Sequence, residues 1–77
     1  MADDSQSVII RDPEILSGEP VFRGTRVPFQ TLLDYLEGGD TLDEFLVQYP
    51  GVSREQAIAA LEEAKALILA RFGKSEF

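Results

Sequence analysis

The chain has 77 residues, of which 44% are hydrophobic and 27% charged, a composition typical of one small globular domain. It contains no Cys and no His, which excludes disulfides, thiolate zinc sites and acid–base chemistry by histidine. Fourteen acidic and seven basic side chains give a net charge of −7, which opposes binding to nucleic acid phosphates and suits a basic protein partner.

The organisation of the chain follows from its polar ends and its length. We predict tails at residues 1–7 and 74–77 and a single domain at residues 8–73, made of a β segment at 8–28 and a three-helix bundle at 29–73. No apolar run approaches the roughly 20 residues of a membrane helix, and the acidic start is unlike a secretory signal, so we expect a cytoplasmic protein without a membrane partner. A domain this small has a thin stability margin, which favours a homodimer or a bound partner.

The β segment begins with a β-branched run. Val8, Ile9 and Ile10 are followed by Asp12-Pro13, where proline disfavours helix at the preceding residue. The sequence therefore predicts a short strand here, and a turn region at residues 15–18.

A second β signal lies at residues 21–28. Gly24-Thr25 at its centre suits a type II′ hairpin turn of two residues, in which Arg23 would face Arg26. A bare loop is the alternative.

Hydrophobic spacing predicts three helices in residues 29–73. In the first segment Phe29, Leu32, Leu33 and Leu36 follow the i, i+3, i+4, i+7 pattern, and a glycine pair at 38 and 39 ends it. This segment is the first helix.

The second and third helices are each introduced by a capping box. Thr41 with Glu44 opens the second, and Ser53 with Gln56 opens the third, which Gly73 ends. The predicted inner face of the third and longest helix comprises Ala57, Ile58, Leu61, Ala64, Ile68 and Phe72. The first two helices are too short to be stable alone, so they must pack on the third.

Together these signals predict a mainly α fold. Short N-terminal strands or a hairpin precede a compact three-helix bundle, in which a turn containing Pro50-Gly51 joins the second and third helices. That arrangement is typical of a helix-turn-helix unit.

Two stretches of the chain resemble the signature of the bacterial family known as domain of unknown function 433. Residues 11–15 read Arg-Asp-Pro-Glu-Ile, and residues 18–28 read Gly-Glu-Pro-Val-Phe-Arg-Gly-Thr-Arg-Val-Pro. Further agreement comes from Tyr49-Pro50, Val52-Ser53 and Ala60-Leu61. The resemblance covers about residues 8–72.

The resemblance implies a homeodomain-like helix-turn-helix fold and the role of antitoxin in a toxin–antitoxin pair, with a toxin similar to a PIN-type ribonuclease. It implies no catalytic activity and no cofactor. The chain departs from the family pattern at Glu62-Glu63, in the middle of the third helix, which disfavours direct reading of DNA by that helix.

Five residues are candidates for contacts with the toxin. Arg23 and Arg26 carry guanidinium groups suited to a phosphate or to a partner's carboxylate, and internal ion pairing is the alternative. The run at residues 66–70 is apolar around the whole helix, so Leu67 and Leu69 are predicted to face a second copy or a toxin, with burial under the N-terminal strands as the alternative. The fifth candidate is Phe22.

Arg54 and Gln56 are candidates for DNA contact, because the start of a second helix-turn-helix helix is where side chains reach base edges. Against this, residues 29–50 contain acidic side chains and no Lys or Arg, so DNA is disfavoured as a partner. The alternative functions are a stand-alone transcriptional regulator and an orphan interaction module.

We expect no enzyme. The carboxylate pairs Asp43-Glu44 and Glu62-Glu63 invite a glycosidase-like or metal-site interpretation. Adjacent residues on a helix point in different directions, however, so neither pair can form a joint site. We therefore predict no metal and no cofactor.

Overall fold

The structure is a computed structural model that describes residues 7–73. It confirms the predicted fold class, since two short antiparallel strands are followed by three helices. The elements are β1 (Ile9–Ile10), β2 (Val21–Phe22), α1 (Phe29–Glu37), α2 (Leu42–Gln48) and α3 (Arg54–Phe72), with a 3-10 helix at Leu16–Gly18. Of the predicted tails, residues 1–6 and 74–77 lie outside the described residues.

The two strands form an antiparallel pair. Ile9 is opposite Phe22 and Ile10 is opposite Val21, so the β-branched run predicted as a strand does form one. Val21 also bridges to Pro28, which brings the chain back past β2 before α1 begins.

The turn after β2 differs from the predicted type II′ turn. The Thr25 N–H donates to the Phe22 carbonyl at 2.9 Å, which places Gly24 third in a four-residue turn, with a φ of 80°. In a two-residue hairpin Arg23 would have paired across the turn, but its N–H donates to the Val8 carbonyl at 2.7 Å. Val8, directly before β1, thus accepts the hydrogen bond that the hairpin would have used.

The helices begin and end where their capping residues predict. The Thr41 hydroxyl accepts from the Glu44 N–H, and the Glu44 carboxylate accepts from the Thr41 N–H. Ser53 and Gln56 repeat this exchange at the start of α3, and both α1 and α3 end at a glycine. The side chains satisfy backbone donors that a helix leaves unpaired at its first turn.

The core is built around an aromatic cluster. The Phe45 ring lies 6.2 Å from Phe22, 5.6 Å from Tyr35 and 5.2 Å from Tyr49, measured between centroids. Burial raises the pKa of the Tyr35 hydroxyl, and the nearby Tyr49 adds to the rise. The fully or almost fully buried apolar residues are Val21, Phe22, Leu32, Phe45, Val52, Ala57 and Ala60. The cluster therefore connects β2, α1 and α2 through one buried ring.

Only the first half of α3 packs against this core. Ala57 is buried as predicted, but the predicted inner face is wrong at Ile58, Ile68 and Phe72, which are exposed. For Ile68 and Phe72 the reason is length, because the 19 residues of α3 rise about 28 Å whereas the nine of α1 rise roughly 14 Å. Ile58 lies in the packed half, but it is turned about 100° from the buried Ala57 and faces away from the core. Within residues 7–73 no helix, α3 included, is both long enough and apolar enough to cross a bilayer.

Candidate protein-interaction surface

The second half of α3 projects beyond the other helices, and we call residues 65–72 the overhang. Every residue in it is exposed, including Leu67 at 72% and Phe72 at 74%. Ile68 and Leu69 lie between them and are exposed as well. Apolar side chains gathered in this way usually mark a contact surface.

A groove of about 910 Å³ runs between β1 and the overhang. Its apolar lining comes from Ile9, Ile10, Pro20, Ala66, Leu67 and Ala70, and its polar lining from Ser7, Arg11, Arg23 and Glu63. We call it the β1–α3 groove. Small alanine side chains on the helix wall let a bound segment approach the helix closely.

Glu63 fixes the position of β1 against α3. One carboxylate oxygen accepts from the Ser7 hydroxyl at 2.6 Å, and the other accepts from the Val8 N–H at 3.1 Å. The Ile9 N–H in turn donates to the Ser7 hydroxyl at 2.9 Å. Ser7, which was assigned to the predicted tail, thus contacts α3, and a carboxylate holds the two walls of the groove together.

Two arginines are anchored along the β1–α3 groove. Arg11 donates from Nε to the Gly18 carbonyl at 2.7 Å, and Arg23 donates from Nε to the Ser7 carbonyl at 3.0 Å. Both side chains line the groove. The contacts place two positive charges beside apolar walls, in a chain whose net charge is −7.

The structure separates the residues predicted to contact a partner. Phe22 is wrong as a contact residue, because its side chain is fully buried in the aromatic cluster, where pairing of β2 with β1 directs it. Arg23 lies at the groove, whereas Arg26 is exposed in the loop after β2 and does not line it.

Leu67 and Leu69 are both exposed, and neither is buried under the strands. Residues that are two positions apart on a helix are separated by about 200° of rotation, so the two side chains face opposite sides of α3. Leu67 lines the β1–α3 groove and Leu69 does not. They therefore belong to two separate surfaces.

The candidate DNA-contacting residues already have protein contacts. The Arg54 guanidinium forms an ion pair with Asp43. The Gln56 side-chain oxygen accepts from the Ser53 N–H at 3.1 Å, and its nitrogen donates to the Arg23 carbonyl at 3.0 Å. A base contact would have to replace these bonds, so Gln56 serves the fold at the start of α3.

The sequence alone did not place Glu63 or Arg11 at this groove. Glu63 stands between Ala60 and Leu67 at spacings of three and four, so it continues one stripe of α3. A carboxylate in such a stripe needs donors, and this was a usable signal. Arg11 directly follows the strand that forms the groove wall, a position that only the fold reveals.

The members of the two carboxylate pairs have separate contacts. Within residues 7–73 no three Asp or Glu side chains gather closely enough to hold a metal ion. Asp43 contacts Arg54, whereas Glu44 caps α2. Glu63 contacts Ser7 before the N-terminal strand. Glu62 points about 100° away around the helix and forms an ion pair with Lys65.

Comparisons with known proteins agree with the fold. Residues 9–64 match the model of a family described as protein of unknown function (DUF433). The chain is 31% identical over 62 residues to the uncharacterised protein y4eO of Sinorhizobium fredii, a match that covers 80% of this chain and 28% of that protein. The crystal structure of a DUF433 member protein from Anabaena variabilis is similar with a TM-score of 0.69 and 32% identity, over 80% of this chain and 61% of that chain. The chain thus spans less than two thirds of each relative.

Proposed function

This chain belongs to the DUF433 family, and on that premise we propose that it is an antitoxin-like binding protein of the cytoplasm. It forms a complex with a cognate toxin and blocks the toxin by occlusion, without catalysis of its own. The choice of a PIN-like ribonuclease as that toxin rests on the family resemblance alone, since no residue pattern in the chain identifies a nuclease partner. Binding of operator DNA by the assembled complex is a secondary part of the proposal.

The observation that carries the proposal is the β1–α3 groove beside an exposed apolar overhang. A toxin segment lying in the groove would cover Leu67 and the alanines of the helix wall, and removal of their apolar surface from water would drive association. Acidic side chains on that segment would meet Arg11 and Arg23, which are anchored along the groove. The segment that enters the groove is therefore apolar with acidic side chains, whereas the net charge of −7 still favours a partner that is basic as a whole.

The experiment is co-expression of this chain with the product of its neighbouring gene, which the proposal expects to be a PIN-like protein, followed by measurement of complex formation and of ribonuclease activity. We expect a stable complex in which ribonuclease activity is inhibited. Leu67→Ser is expected to weaken the complex about tenfold or more, because a leucine side chain buried at an interface contributes on the order of 2 kcal/mol.

Val47→Ser is the matched control. Val47 is 75% exposed, close to the 72% of Leu67, but it lies on α2 and does not line the groove. The control is expected to leave affinity unchanged. Equal affinities for the L67S variant, the V47S variant and the unmodified chain would refute a role for the groove.

A stand-alone regulator is the second candidate, because a short turn joins α2 to α3, as in a helix-turn-helix unit. Such a function requires specific DNA binding whose affinity falls steeply with salt. The ion pair of Arg54 with Asp43 and the structural hydrogen bonds of Gln56 disfavour it. If the chain binds DNA with steep salt dependence and does not bind the PIN-like protein, the regulator function would replace the antitoxin proposal. A chain that binds neither would be an orphan interaction module.

A further inference from the structure

A second surface of α3 lies away from the β1–α3 groove. Ile58, Glu62, Lys65 and Leu69 follow one another at spacings of four, three and four, which places them in one stripe along the helix. Ile58 and Leu69 are each 43% exposed, and the side chains of Glu62 and Lys65 are more exposed still. We call these four residues the α3 stripe.

The α3 stripe has a palindromic pattern. Read from either end, it runs apolar, charged, charged, apolar, and its two charges have opposite sign. Its midpoint falls between residues 63 and 64. An antiparallel copy of the same helix would therefore meet it with matching chemistry at every step.

We propose that a second copy of this chain docks antiparallel along the α3 stripe, with a two-fold axis through that midpoint. In this register Lys65 meets Glu62 of the second copy, and Leu69 meets Ile58 of the second copy. The two-fold axis repeats each contact, so the pairing contains two ion pairs and two apolar pairs. Such self-complementarity is what a symmetric dimer interface requires.

The charge distribution along α3 supports the same register. Residues 64–73 contain Lys65 and Arg71 and no acidic side chain, whereas residues 54–63 contain Glu55, Glu62 and Glu63 with one arginine. Antiparallel pairing about this midpoint sets the basic half of each helix beside the acidic half of the other. A parallel pair, or one centred on the overhang, would set like charges together.

The same register also covers the overhang. In this register, residues 65–72 of each copy lie beside the first half of the other copy's α3, which packs against that copy's core. Ile68 and Phe72 lie next to the stripe on the helix surface, so part of their exposed apolar area becomes buried. Leu67 faces the opposite side, and both grooves stay open on the outside of the dimer. The arrangement therefore adds a dimer surface to the proposed partner surface without competition between them.

Charge reversal within the stripe tests the proposal. Size-exclusion chromatography with light scattering over a concentration series should show a monomer–dimer equilibrium for the unmodified chain. Lys65→Glu and Glu62→Lys should each raise the dimer dissociation constant about tenfold or more, because each leaves like charges opposed at two places. A 1:1 mixture of the K65E and E62K chains should form heterodimers, because one presents two negative charges and the other two positive charges.

The mixing experiment distinguishes an interface from a folding defect, because two misfolded variants would not regain dimerisation when they are mixed. Circular dichroism of each variant checks that the helices are retained. Leu67→Ser, on the opposite face, should leave dimerisation unchanged. A chain that is monomeric at all concentrations, a dimer that L67S disrupts, or a mixture that stays monomeric would each overturn the proposal. None of these outcomes depends on toxin binding.

Discussion

Replacing Phe45 with alanine is expected to lower the free energy of unfolding by about 3–5 kcal/mol, because it empties the centre of a packed core. Phe45 is fully buried, and its ring contacts Phe22, Tyr35 and Tyr49. The expected loss is comparable with the whole stability of a small domain, which is of the order of 5 kcal/mol. Urea titration followed by circular dichroism should show a largely unfolded chain even without denaturant.

Phe72→Ala makes the same chemical change at a side chain that is 74% exposed. Measured at a concentration where the chain is monomeric, it is expected to change the unfolding free energy by no more than about 0.5 kcal/mol. Similar losses for the two variants would mean that the overhang packs against the bundle of its own chain, contrary to the structure.

The helix boundaries could be predicted from sequence because local chemistry decides them. The Thr41 and Ser53 capping boxes satisfy backbone groups within a few residues, and a glycine ends both α1 and α3, so the signal and its effect lie in the same segment. The same holds for the strand at Ile9–Ile10, whose β-branched residues favour extended backbone.

The environment of α3 could not be predicted in this way. Periodicity shows which residues share a face, but it does not show how far the neighbouring helices extend along that face. Ala57 and Ile68 lie within one predicted face, yet only Ala57 has neighbours to bury it. The prediction of a type II′ turn at Gly24 was wrong for a related reason. The Arg23 N–H donates to the Val8 carbonyl, and Val8 is distant in sequence.

Glu63 was missed for the same reason, because its role depends on contact between the two ends of the described chain. Its carboxylate accepts from Ser7 and Val8, more than 50 residues away. Replacing Glu63 with alanine is expected to lower the unfolding free energy by about 1–3 kcal/mol, since the Val8 N–H loses a charged acceptor in a partly buried place. Hydrogen exchange should locate the effect. The Arg23 N–H donates to the Val8 carbonyl, so the substitution should increase its exchange rate more than the rates of amides in α2.

Glu62→Ala is the matched control, because Glu62 is the adjacent carboxylate and its ion pair with Lys65 is exposed. In a monomeric sample it should change stability by less than about 0.5 kcal/mol and leave exchange at the Arg23 N–H unaltered. The two variants also separate the proposed surfaces. Loss of Glu63 removes the fixed wall of the β1–α3 groove and should weaken partner binding, whereas loss of Glu62 should weaken self-association. The reverse pattern would show that the groove and the α3 stripe have been assigned to the wrong partners.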